Sequence, residues 1–247
     1  MRKTFIFTAF LSLTLISTPG LSRAEEACDL SAEAKELVSI QADTSLDEIQ
    51  YLNAEIAARR NLLSAAIACD ERDIAARVEA LGSLPDKIKS REAYRKILEG
   101  LAETARFYSD QKGPIASLGL RDLRSSSRAI AERRKTEYIP LLTLTDNFIF
   151  WANNQQFLER ASERLGQVSR VAFSLKLVNQ DEVNMMFERA RSNFDTAFAE
   201  SDKAIRELDR GRAGVALAHT KASLQALSET YQVFFDLQET LKRIVGQ

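Results

Sequence analysis

Leu123, Ile130, Leu144, Trp151, Leu158 and Leu165 stand on a single seven-residue register, and only Glu137 interrupts it. A heptad of large apolar residues marks a helix that packs lengthwise against other helices. A strand would alternate every second residue, and almost no run in this chain does so. Helix breakers are scarce. Of nine glycines and four prolines, Gly20 and Pro19 fall in the first 24 residues, leaving Pro85, Pro114 and Pro140 for all that follows. Between residues 120 and 178 the only glycine is Gly166. The fold class expected is therefore all-α: an elongated antiparallel helical bundle of about six helices, dividing into two three-helix halves that share the segment 120–178. Pro140 must kink or break that segment, because its ring lacks an N–H and crowds the preceding turn. A break would pair Thr143 with Asp146 as a cap and give a more compact bundle.

The flanking segments read as helices too. Ser31 opens a short one through about Asp43, with Leu37 and Val38 on its apolar face. Ser45 and Glu48 form a capping box for a second helix that runs to about Leu81. Its inward residues are Ile49, Ile56 and Leu63, seven apart, then Ile67, Ile74 and Leu81, seven apart but offset by four, with Leu52 and Val78 on the same side. Such an offset is a stutter. Ser83 caps the next helix, with Pro85 in its first turn, and Gly113-Pro114 ends it. Asn179 caps a helix with Glu182 at its third position, Gly211 and Gly214 turn the chain, and a last helix carries Leu217, Leu224, Leu227, Tyr231 and Phe234. The divisions expected are 1–24 as a cleaved signal, 25–119 as a helical hairpin region, and 120–247 as a helical bundle packed with it.

The first residues combine Arg2 and Lys3, a 12-residue apolar run from Phe5 to Ile16, Pro19-Gly20, and Ser22-Arg23-Ala24. This is the layout of a secretory signal cut after Ala24, and the apolar run is too short to span a bilayer comfortably. An exported chain, periplasmic or extracellular, is expected. The cut removes three basic residues and no acid, so the net charge moves from −1 to −4. So mild a balance argues against nucleic acid as a partner. Cys28 and Cys69 are the only cysteines. In an oxidising compartment an even pair favours a disulfide, two buried free thiols being the alternative. Folding the first helix back on the second gives both cysteines similar reach from the turn at Thr44.

The stretch 140–158 is the most apolar after the N-terminus and holds the only tryptophan, yet it includes Asp146, Asn147, Asn153 and Asn154. No window in it supplies the roughly 20 apolar residues of a membrane helix. Leu144, Phe148, Trp151 and Leu158 share one helical face, which reads as bundle core. The alternative is a ligand pocket in which Trp151 stacks on a small molecule and Asp146, Asn147 or Asn154 supplies polar contacts.

Motif chemistry is thin. His219 is the only histidine, no glycine-rich loop follows a strand, and Met185 and Met186 point to different faces of a helix. No cofactor or metal is implied, and no two of the 35 acids are marked as a catalytic pair. One charge feature stands out. Residues 121–135 hold six basic residues and two acids, and Arg121, Arg124, Arg128 and Lys135 share a helical stripe. The stripe is either a plain solvated face or a contact for an anionic partner such as lipid head groups, a cell-wall polymer or an acidic protein. The function expected is a non-catalytic exported binding or scaffold protein whose partner is another envelope protein or an anionic envelope component. The second reading is a small-ligand-binding or sensing bundle built on the aromatic zone around Trp151, Phe187, Phe194 and Phe234. Export is tested by N-terminal sequencing of the protein from whole cells, which should begin at Glu25; a mature pool that keeps Met1 refutes it.

Overall fold

A computed structural model describes residues 29–174 and 180–245. Among them there is no strand, and the helices run in the order α1 (Ser31–Ala42), α2 (Glu48–Gly82), α3 (Asp86–Lys89), α4 (Glu92–Ile115), α5 (Leu120–Arg133), a π turn (Arg134–Tyr138), α6 (Ile139–Ser174), α7 (Asp181–Asp209) and α8 (Ala213–Val245). The protein is an all-α bundle. α2 and α4 pack with the α5–α6 segment in one half, and α7 and α8 pack with α6 in the other. α1 lies along α2.

Pro140 neither breaks nor ends the shared helix. The turn before it widens instead: the Ile139 N–H donates to the Arg134 carbonyl, five residues back. A π turn inserts one residue into the α pattern, which makes room for a ring that would otherwise crowd the preceding carbonyls. The insertion also explains the gap in the heptad. Glu137 is passed over and Tyr138, fully buried, takes its slot. From there two seams overlap on α6. Tyr138, Thr145, Phe148 and Ala152 face the first half, while Trp151, Asn154, Leu158, Ala161 and Ala172 face the second. Trp151 sits at the crossing. Thr143, placed in mid-helix, bonds back to the Ile139 carbonyl and caps nothing.

α7 and α8 form the closest pair. Val183, Ala190, Ala197 and Ala204 are seven apart and fully buried. Ala216, Ser223, Thr230 and Leu237 repeat at seven on α8, also buried. Small residues on both seams let the two backbones approach. Gly211, at φ 73°, turns the chain between them. The Arg212 and Gly211 N–H groups close on the Glu207 and Leu208 carbonyls, a Schellman end that needs a left-handed residue.

Several local expectations are corrected. The cap of α2 is Asp47, which exchanges bonds with Gln50, while Ser45 is drawn into a turn by Asp43. Ile49 is 74% exposed, and Leu52 and Val78 are also exposed. For the first two the reason is length. Arg60 meets the Leu118 carbonyl at 2.8 Å, where α4 has ended and α5 begins, so the first turns of α2 extend past their neighbours. Val38 on α1 is exposed for the same lack of a third helix. The helix expected after Ser83 is two, α3 and α4, and Ser83 closes α2 by bonding to Ala80. Pro114 lies inside the last turn of α4 and does not end it before Ile115. The Asn179 cap lies outside the described residues.

The halves are clasped where α4 starts. No side chain of its own caps α4. Instead Asp209, at the end of α7, accepts the Ala93 N–H at 3.0 Å, and Lys96 reaches the Asp209 carbonyl at 3.1 Å. Loss of a capping carboxylate costs about 1 kcal/mol. Asp209→Ala should lower stability by roughly that amount in denaturant titration, and Asp209→Asn, which keeps the acceptor, should recover most of it.

Candidate functional site

Trp151 is core. It is 1% exposed, packs on Phe148 with ring centroids 5.6 Å apart, and has the Arg91 guanidinium 5.8 Å from its ring centre. Its indole N–H donates to the carbonyl and hydroxyl of Ser201, each at 3.1 Å. The polar residues grouped with it in the pocket reading are engaged separately. Asp146 accepts from Arg77 at 3.1 Å, Asn147 donates to the Ala213 carbonyl at 3.0 Å, and buried Asn154 donates to Ser223 at 2.8 Å. Ser223 in turn donates to the Ala197 carbonyl. These bonds tie α6 to α2 and to the α7–α8 hairpin. Phe187 and Phe194 lie in separate small clusters farther along α7.

The basic stripe divides into two kinds of residue. Arg121, Arg128 and Lys135 are exposed, and no ion pair within the described residues involves them. Arg124 and Arg134 reach across to buried acids of α2. Arg124 meets Glu55 at 2.9 Å, with Arg59 on the same oxygen at 2.8 Å; Arg134 meets Asp70 at 3.3 Å. The two acids answer differently. Burial pushes the Glu55 carboxyl up, but its hydrogen bonds from Arg124 and Arg59 outweigh this and hold it below the usual range. Asp70, 2% exposed, has one long ion pair, so burial dominates and pushes its carboxyl up. The neighbouring Asp73 charge adds to the rise, while the Tyr108 hydroxyl and Arg134 oppose it. Burial likewise pushes the Tyr108 and Tyr138 hydroxyls well above the ordinary tyrosine value, so both stay protonated; Tyr138 donates to the Asp70 carbonyl at 3.2 Å.

Asp70 also lines a cavity of about 260 Å³ between α1, α2 and α5. Leu30 and Leu37 close it from α1, Leu63 from α2 and Leu123 from α5, while Asp70, Arg59 and Arg134 are its charged residues. The chain thus places a desolvated acid, a half-exposed guanidinium and aliphatic walls together, beside the basic face of α5. Comparison with family models, curated proteins and solved structures finds no match for this chain. The site is therefore read from its own geometry. Among the described residues no group of three or more His, Cys, Asp or Glu is placed to hold a metal ion, and no helix is long and apolar enough to cross a membrane.

Sequence reasoning singled out Arg124 as part of the stripe but not its partner. Asp70 and Glu55 escaped it. The signal was present for Asp70, which stands three residues after Ile67 and four before Ile74, in the apolar stripe of α2. Cys69, next to it, is buried and is not a free thiol; Cys28 lies outside the described residues.

The raised carboxyl of Asp70 makes the fold less stable at neutral than at acid pH, as far as this group alone is concerned. Ionised Asp70 costs stability above its folded pKa, and that cost fades as pH falls toward the unfolded value of 3.8. Asp70→Asn, a neutral mimic, should melt higher than the parent at neutral pH, and the two melting curves should converge as pH approaches 3.8. A variant that melts lower at neutral pH would show that the Arg134 pair outweighs burial.

Proposed function

We propose that this chain is an exported, non-catalytic helical binding protein that docks on an anionic component of the cell envelope through the basic face of α5. The carrying observation is that Arg121, Arg128 and Lys135 are exposed and spaced seven apart, with no internal acid taking their charge among the described residues. Arg121 and Arg128, at i and i+7, share one side of α5, and Lys135 extends the exposed row into the π turn, about 20 Å in all, which suits an extended partner better than a small one. Arg124 and Arg134 are about half exposed and add positive potential while anchoring α5 to α2. The acidic residues of the second half are concentrated on α7, away from this face. The leader at 1–24 and the Cys28–Cys69 bond, which would staple α1 along α2 in an oxidising compartment, belong to the same proposal.

Each basic residue near an anionic surface contributes about 1 kcal/mol. Changing Arg121, Arg128 and Lys135 together to Gln should weaken sedimentation with anionic vesicles or envelope fractions on the order of 100-fold at low salt. Raising the salt should shrink the difference. Equal sedimentation of parent and variant at low salt would return the stripe to a solvated face. None of the three residues packs in the core, so the melting temperature should not change.

A further inference from the structure

The cavity between α1, α2 and α5 is polar at its ends and aliphatic between them. On α2, Arg59 and Asp70 are eleven residues apart, about 16 Å along the helix. Leu63 lies between them, faced by Leu123 of α5 and by Leu30 and Leu37 of α1. At one end the Arg59 guanidinium is committed to Glu55 through both Nε and Nη2. At the other end Arg134 makes a single contact of 3.3 Å, to Asp70, and keeps several N–H groups unused.

We propose that this cavity binds a small anionic amphiphile: a carboxylic acid whose aliphatic chain lies among Leu30, Leu37, Leu63 and Leu123, with its head group on Arg134. The volume of about 260 Å³ equals roughly nine waters at ~30 Å³ each, enough for a chain of about eight to ten carbons. Charge selects the head group. Arg134 is the wall cation with donors to spare, Arg59 being committed to Glu55, and the adjoining segment 121–135 carries six basic residues against two acids. An ammonium head would face that excess, whereas a carboxylate makes the paired, planar contact that guanidinium groups favour. Asp70 fits the same occupant. Burial raises the Asp70 carboxyl, so taking up a proton there as a carboxylate binds costs less than at an exposed acid, and the protonated group then donates to the head group. Arg121, Arg128 and Lys135 do not line this space, so the inference stands apart from docking through α5.

The test is calorimetric titration of the exported protein with decanoate, decan-1-ol and decyltrimethylammonium, each below its aggregation concentration. Decanoate should saturate one site, and the other two should bind at least about tenfold more weakly, the loss of one charge-assisted contact. Arg134→Gln should weaken decanoate by about tenfold and leave decan-1-ol unchanged. Ala66→Phe, which fills the space from α2, should abolish decanoate binding without lowering the melting temperature. The inference is overturned if the folded protein does not saturate with decanoate, if the three head groups bind alike, or if Arg134→Gln leaves decanoate affinity intact. Arg134→Gln also removes the ion pair to buried Asp70, so the double variant Arg134→Gln/Asp70→Asn, which leaves no unpaired acid, should show the same loss of decanoate affinity.

Discussion

The bond from the Ile139 N–H to the Arg134 carbonyl sets the phase of the longest helix, and the rest of the bundle is arranged around that phase. An α-helix advances 100° per residue, so one inserted residue rotates all that follows by about that angle. Before the insertion Leu123 and Ile130 face α2; after it Tyr138 and Thr145 keep facing the first half, where an uninterrupted helix would have presented Glu137. A buried Glu137 would have needed a partner or a proton. The insertion puts in its place a tyrosine whose hydroxyl reaches the Asp70 carbonyl. Pro140 and the π turn thus form one device. The proline makes an unbroken α pattern unfavourable, and the widened turn keeps the helix continuous and its seam apolar.

Continuity matters because α6 belongs to both halves. Its second seam, beginning at Trp151, meets α7 and α8 in several small clusters, where Ala161, Ala190 and Ala197 are interleaved with Leu158, Leu227 and Phe234. The first half is different: Leu81, Ile97, Leu101, Tyr108 and Phe148 fill a broad core. Trp151 and the α4 cap at Asp209 lie where these two styles of packing meet. A large ring bonded to Ser201 on one side and overlain by Arg91 on the other couples α3–α4 to α7, which neither packing style would do alone.

Much of this order is legible in the sequence, and what is not has physical causes. The all-α class follows from periodicity and the scarcity of breakers, and the two-half division follows from one long register that outlasts its neighbours. The positions of Ile49, Leu52 and Val38 are not legible, because a periodic pattern reports which face is apolar and not whether another helix is long enough to cover it. The cap of α2 is missed because two capping patterns overlap two residues apart, and Asp47–Gln50 prevails once Asp43 captures Ser45. The cap of α4 has no local signature at all, since its acceptor comes from residue 209. The π turn is hinted at only by the conjunction of a misplaced Glu137 with Pro140 three residues on.

Asp70 shows why an interrupted stripe is more informative than an unbroken one. A leucine at that position would join Leu63, Ile67 and Ile74 in a continuous apolar face and avoid burying a charge with one long ion pair. Glu55, by contrast, is held by two arginines at under 3 Å and reads as an ordinary tether between α2 and α5. The difference lies in charge compensation, not in burial: both acids are buried, but Asp70 faces one arginine at 3.3 Å and borders an open space, and burial prevails at its carboxyl. Packing alone gives no reason to keep such a group. A group that is unfavourable in the free protein and improves on contact with a ligand is the arrangement expected of a binding site, because the free energy withheld on folding returns on binding.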